Sequence, residues 1–508
     1  MDPCHRETCR PDSRRAHSRL GFGNLICLAS RTKWMNATVD LPLKPVSTLP
    51  GPKGWPLLGN FTQINFNEFH AQLERWADEY GDLYRFRLGP AEFLVSSDLD
   101  TINEILRERP HSFGRRVALE RIFSELGFNG VFSSDDENWK RQRKIVITAL
   151  NSSHLHQFYD SMRATTERLQ RRWTRAAHTG ETVDLCDDLM RYTVDVTTQL
   201  AFGIDFNTLE TDGPIIQTHL DKVFPGLNRR LGSPIPYWRL FKLQQDRELD
   251  AAVAAIHTQV KEIVAQCRVR MRELPALSQE PTNFLEAMIA AQASEGLQFS
   301  DEDIVANMFT LLLAGEDTTA NTLAWAIKYF IELPEEFQRV RREIDEVLGA
   351  TQVPMTHQDL VRFRLVEAFA NETMRLKPVA PLTVAESKHD LELAGYAVKP
   401  GTAVVLLNRR IALSARNFSN PETFALDRWL EKGNSDGRVH NARAFLPFGG
   451  GPRFCPGRNL ALYEIKAVLA MFCRNFEAEL VDPSREIEEL FAFTMSPTNL
   501  FVRIRHRA

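Results

Sequence analysis

The sequence predicts a mainly helical chain with small β-sheets, and three observations predict it. No proline interrupts the run from Ser300 to Leu333, which reads as a helix of roughly 32 residues, about 48 Å long at 1.5 Å per residue. Shorter helix-compatible runs are spread from Phe69 to the stretch after Gly457. The alternating, strand-like runs are few and short, as in Leu83-Tyr84-Arg85-Phe86-Arg87-Leu88.

Composition sets outer limits. The chain has 508 residues, of which 43% are hydrophobic and 25% charged, so a large core can form. The net charge of −4 and the lack of a basic tail argue against a nucleic-acid partner. The seven cysteines are scattered, odd in number and not at zinc-ligand spacing, which suits a reducing compartment. No apolar run reaches membrane-spanning length; Leu20 to Ala29 is too short and carries Gly and Asn, so no transmembrane anchor is expected. Residues 1–45 read as a disordered N-terminal extension, with Met35 as the natural start. A mitochondrial presequence is the alternative, but Asp2, Glu7 and Asp12 are acidic where such a peptide has almost none. The expectation is a soluble, bacterial, cytoplasmic protein.

Taken in order, Leu49 to Asn60 is a Pro/Gly-rich turn segment. Phe69, Leu73 and Trp76 share a helix face, and Leu83–Leu88 and Glu92–Ser96 form a hairpin around Gly89-Pro90. Trp139 and Arg143, four apart, lie on one face of a helix whose other cations, Lys140, Arg141 and Lys144, make either a solvated face or a docking patch for an acidic partner. Residues 181 to 203 read as a helix with Leu185, Leu189, Val194 and Leu200 on its apolar face. From Phe224 to Phe241 the prolines break helix, and the stretch reads either as a loop with exposed aromatics or as one packed by its own aromatics. Ser300 to Asp303 resembles a capping box, and the helix it opens is apolar nearly all round from Met308 to Ala314. That helix then carries Gly315-Glu316-Asp317-Thr318, a buried acid and hydroxyl that require partners. Glu372 and Arg375 are spaced to pair on one helix face. Two segments, Pro378 to Thr383 and Phe493-Thr494-Met495, are largely apolar and read either as pocket lining or as core.

Near the end, Cys455 sits in a loop of four glycines and two prolines, Phe448-Gly449-Gly450-Gly451-Pro452-Arg453-Phe454-Cys455-Pro456-Gly457. The glycines allow turns that a side chain forbids and leave room for a large flat group. Backbone N–H groups and the start of the following helix favour a thiolate, the metal-binding form.

Phe448, Gly451, Arg453, Cys455 and Gly457 together match the heme-binding signature of the cytochrome P-450 family, which the chain resembles from Leu49 to its end. The resemblance implies a heme domain over residues 46–508, in which a small β-rich lobe and a helical lobe clasp heme b between the long central helix and the Cys loop. It makes Cys455 the thiolate ligand of the iron, and it brings Arg453, Trp139 and Arg143 to the heme propionates. Many relatives add a basic residue where this chain has Ala385, leaving only Lys388 and His389 nearby. Asp317 is implied to feed protons inward and Thr318 to hydrogen-bond dioxygen and its water, while Glu372, Arg375 and Arg428 form a structural network behind the Cys loop. Ala314, Val379, Ala380, Phe493 and Thr494 fall at substrate-lining positions.

The activity implied is insertion of one oxygen atom of O2 into a hydrophobic organic substrate. Electrons come from NAD(P)H through a separate ferredoxin or flavoprotein reductase. The alternatives are a peroxide-driven or isomerase-type heme-thiolate enzyme and a non-catalytic heme-binding sensor.

Overall fold

The helix Asp301–Glu332 forms where the sequence places it, and its start shows why. The Ser300 hydroxyl accepts the Asp303 N–H (3.2 Å), and the Asp303 carboxylate accepts the Ser300 N–H (2.9 Å). The helix is apolar all round through Leu312 and Leu313 and is therefore surrounded. It packs against Leu185–Phe202, Gln244–Glu273, Arg364–Leu376 and Arg458–Asn475. A computed structural model describes residues 43–211, 215–233, 235–294, 299–430 and 440–507. Within these the compact unit begins at Lys44.

The main sheet has five strands in the order Leu83–Leu88, Ala91–Ser96, Ala403–Leu406, Thr383–Ser387 and Phe113–Gly114. Its first two strands are the expected hairpin, antiparallel with Phe86 opposite Phe93. A second sheet joins Phe476–Leu480, Phe501–His506 and Thr182–Asp184, and a third joins Lys44–Pro45, Tyr396–Val398 and Leu391–Leu393. The two-stranded hairpin Glu489–Ala492 and Thr494–Pro497 turns at Phe493. Helices and small sheets in these proportions bear out the expected fold class.

Two expectations need correction, and a third falls almost wholly outside the described residues. The extension expected over residues 1–45 lies outside the described residues except at its end, where Lys44–Pro45 pair in parallel with Tyr396 and Ala397. The helix expected from 181 begins only at Leu185; Thr182–Asp184 form a strand against Phe501–Arg503, and the Asp184 carboxylate caps the helix by accepting the Cys186 and Asp187 N–H groups. Of the loop expected from Phe224 to Phe241, the first part is instead the end of a helix, Ile215–Gly232, with Pro225 inside it; beyond it Tyr237 packs on Trp238 and Phe241 as the loop reading expects. Pro225 removes one backbone hydrogen bond, but its turn is held from outside. A Cβ on Gly226 would lie 2.7 Å from a side-chain methyl of Leu249 on the long neighbouring helix, so the Leu249 side chain packs directly against the turn. Among the described residues no helix is long and apolar enough to cross a membrane.

Candidate active site

The Cys loop takes its shape from glycine. Gly449 and Gly451 lie at φ 71° and 65°, and a Cβ on Gly451 would stand 1.9 Å from the Leu106 carbonyl oxygen. Gly451 therefore lets the loop press against Leu106, whereas Phe448, Gly450, Cys455 and Gly457 line the cavity above it. Gly451→Ala is expected to cost about 1–3 kcal/mol, read as a lower denaturation midpoint; an unchanged midpoint would show that the loop yields freely.

Cys455 is held by its own N–H, which donates to the Phe448 carbonyl at 3.0 Å. Burial pushes the thiol's pKa up, and the Gly457 N–H, the Arg143 charge and the Arg458 N–H pull it back. The donors expected around the sulfur are present, but burial outweighs them.

The cavity has a volume of about 520 Å³ and lies between this loop, the central helix and the main sheet. Most of its wall is apolar, including Ala314, Val379, Ala380 and Phe493. One end is strongly cationic. Arg453 donates to Asp135 at 2.8 Å and to the Ser134 carbonyl at 2.6 Å, and its guanidinium lies 4.8 Å from the Trp139 ring centre. Arg143 reaches the Phe454 carbonyl. Arg109 and Arg115, which sequence reasoning missed, join them on the wall. Burial pushes the Arg109 and Arg453 guanidiniums down to about 10 and that of Arg115 well below its usual value. Buried N–H groups on all four arginines have no hydrogen-bond partner.

Among these cations the carboxylate is Asp135, which also accepts the Arg115 N–H (2.9 Å) and binds Lys388 (3.1 Å). Buried charge without partners is costly, so this end suits a bound dianion. Lys388 does not substitute for the missing basic residue: it is tied to Asp135 and Asp136. Ala385 is buried in the core of the sheet. Arg109 and Arg115 are the further cations that line this end of the cavity. The loop that carries Phe132 and Asp135 is held to the central helix by Asn307, which accepts the Val131 N–H (2.9 Å) and donates to Gln142 (3.0 Å).

On the central helix, Thr318 faces the cavity and its hydroxyl donates to the Ala314 carbonyl at 2.9 Å, as its position in the helix predicts. Asp317 is turned away. Its carboxylate accepts Asn321 Nδ2 at 2.9 Å and the Thr494 hydroxyl, and burial raises its pKa against both hydrogen bonds. Glu464, also missed, stands at the cavity wall with one oxygen lacking a partner. Burial pushes it up to about 8. Its sequence signal was a lone acid on the buried side of the helix after the Cys loop.

Behind the loop, Glu372 accepts both Arg375 Nε and Nη2 at 2.8 Å, Arg428 Nε at 3.0 Å and the Trp429 indole at 2.9 Å. The network expected from sequence is assembled as a buried unit.

The family model for cytochrome P450 matches residues 49–504. The chain belongs to the cytochrome P450 family. It is 25% identical over 476 residues to the chloroplastic protein LUTEIN DEFICIENT 5 of Arabidopsis thaliana, covering 92% of this chain and 77% of that one. It is 24% identical over 484 residues to human cytochrome P450 4V2, covering 92% and 90%. The bifunctional cytochrome P450/NADPH–P450 reductase ascE of Acremonium egyptiacum is 25% identical over 472 residues, and this chain spans 43% of its length. In fold, the cytochrome P450DA heme domain superposes with a TM-score of 0.79 at 23% identity, covering 92% of this chain and 98% of that one.

As a cytochrome P450 the chain is a monooxygenase oxidoreductase, and the family implies a heme iron cofactor. The residues present fit that group. Cys455 and the glycine loop line the cavity, and at one end four arginines carry buried guanidinium N–H groups without partners, which suit the two carboxylates of heme.

Proposed function

We propose that this cytochrome P450 oxidises a hydrophobic organic substrate with O2, using electrons that a redox protein delivers from NAD(P)H. The observation that carries the reading is the convergence on one cavity of Cys455, Thr318 and the unpartnered arginines. Bound heme supplies the oxygen-activating redox chemistry. The chain's own residues do the rest. Cys455 would ligate the iron. Arg109, Arg115, Arg143 and Arg453, with Trp139, would hold the propionates. Ala314, Val379, Ala380 and Phe493 exclude water and accept an apolar substrate. Thr318, its hydroxyl proton committed to Ala314, offers an oxygen lone pair to the reacting centre. Thr318 and Asp317 are the residues that handle protons, each through its own partners.

A ferredoxin or flavoprotein reductase would dock on the exposed face of the helix Asp136–Ala149, beside the Cys loop. Lys140 and Lys144 are exposed there. Arg141 leaves that patch, because it pairs with Asp303 at 3.2 Å.

The test is turnover of a hydrophobic substrate panel with NADPH and a surrogate ferredoxin–ferredoxin reductase pair, against hydrogen peroxide alone. Turnover only with the electron donors supports the proposal; turnover by peroxide alone favours the peroxide-driven reading. Thr318→Ala is expected to lower product per NADPH consumed by about tenfold while heme content holds. Unchanged coupling would count against oxygen activation at this residue.

A further inference from the structure

The hairpin that ends at the cavity turns on a single residue, Phe493, at φ 81°. Bulky side chains rarely occupy the left-handed region, and holding one there costs of order 1–3 kcal/mol. The neighbours hold it. The Met495 N–H donates to the Val379 carbonyl at 2.9 Å, and the Trp325 indole donates to the Met495 carbonyl at 3.4 Å. On the other side the Thr494 hydroxyl is bound to Asp317. The Phe493 ring projects over the cavity, with its centre 5.8 Å from Phe132 and 5.4 Å from Phe224.

Asp317 and Thr318 are adjacent on a helix and so point in directions about 100° apart; residues at that spacing do not face each other. Thr318 also spends its hydroxyl proton on Ala314. Asp317 does not line the cavity, and neither does Asn321; of its two partners Thr494 alone reaches the cavity. Among the described residues no Arg, Lys or His pairs with Asp317; its side-chain partners are Asn321 and Thr494.

We propose that Thr494 is the hydroxyl through which Asp317 passes protons to the cavity, and that Phe493 makes this link responsive to what fills the cavity. The inference rests on the monooxygenase reading and deepens it. With Asp317 protonated, its O–H donates to Thr494 Oγ1 and the Thr494 hydroxyl proton turns toward the cavity. An acceptor in the cavity takes that proton as the Asp317 proton arrives at the same oxygen. One O–H bond breaks and one forms at Thr494, and the negative charge is left on Asp317, to be reprotonated from water. An occupant that presses on the Phe493 ring moves the backbone that it shares with Thr494. Because Met495 is pinned and Phe493 is already strained, the displacement falls on the Thr494–Asp317 hydrogen bond.

The experiment is isotope-edited infrared spectroscopy of aspartate-labelled holoenzyme, with the Asp317 carboxyl band assigned by its loss in Asp317→Asn. Thr494→Val is expected to move that band and to lower product per NADPH by about tenfold. Thr494→Ser is expected to return the band and restore most of the coupling. Phe493→Gly, which accepts positive φ without strain, is expected to move the band although residue 493 does not touch Asp317.

An Asp317 band unmoved in Thr494→Val, or coupling within about twofold of the native enzyme, overturns the link. A band unmoved in Phe493→Gly overturns the response to occupancy. If Thr494→Val loses heme, the band in Thr494→Ser against Phe493→Gly decides. The carbon monoxide spectrum separates this inference from the reading beneath it: native protein without a thiolate-type band sinks the monooxygenase reading, whereas a normal band with an unmoved Asp317 signal sinks only the relay.

Discussion

Cys455→Ala is expected to abolish the far-red-shifted Soret band of the reduced, carbon monoxide-treated protein. Thiolate ligation produces that band, and among the described residues no other cysteine lines the cavity. Cys267 and Cys473 are buried in the helical core, and Cys186 sits against the Pro497 carbonyl at 3.7 Å. Among the described residues no histidine lines the cavity. Turnover is expected to fall by at least roughly a hundredfold, since disturbing even an outer-shell partner of a metal ligand costs ten- to hundredfold. The four arginines remain, so residual porphyrin binding without the red-shifted band is the expected intermediate picture. A variant that kept the band would remove Cys455 as the ligand.

Glu372→Ala is expected to be the most damaging substitution away from the cavity. The carboxylate is fully buried with Arg375 and Arg428, and it also receives the Ala425 N–H at 3.0 Å. Its removal strands two buried guanidiniums. Breaking a buried ion pair by deleting one partner costs about 3–5 kcal/mol, a large share of the roughly 5–15 kcal/mol that holds a domain folded. Arg375 also donates to the Ala412 and Pro421 carbonyls, and Arg428 to that of Asn420 at 2.7 Å, so the segment behind the Cys loop loosens with them. The expected result is low heme content and a lower melting temperature, measured by absorbance and thermal unfolding. Glu372→Gln, which keeps one acceptor oxygen, is expected to retain part of both. Full heme content in Glu372→Ala would show that the network does not support the site.

What the chain's sequence determined by itself is local. Ser300 and Asp303 cap a helix whose first turn they occupy, so its start was readable from four residues. The same holds for Glu372 with Arg375, for Thr318 with Ala314, and for the glycines that shape the Cys loop. Family resemblance then joined these pieces, because the motifs occur in a fixed order.

Tertiary structure decided the contacts that join distant segments. Asp317 and Thr494 are 177 residues apart, and Arg453 and Asp135 are 318 apart. No local pattern marks either pair. The helix through Pro225 and the strand Thr182–Asp184 were misread for the same reason: a neighbouring helix and the C-terminal strand outweigh local propensity. Arg109 and Arg115 are ordinary cations in sequence. They become site residues because folding removes their water and leaves their N–H groups without partners at one end of the cavity, and desolvation is a property of the assembled interior rather than of any short stretch of chain.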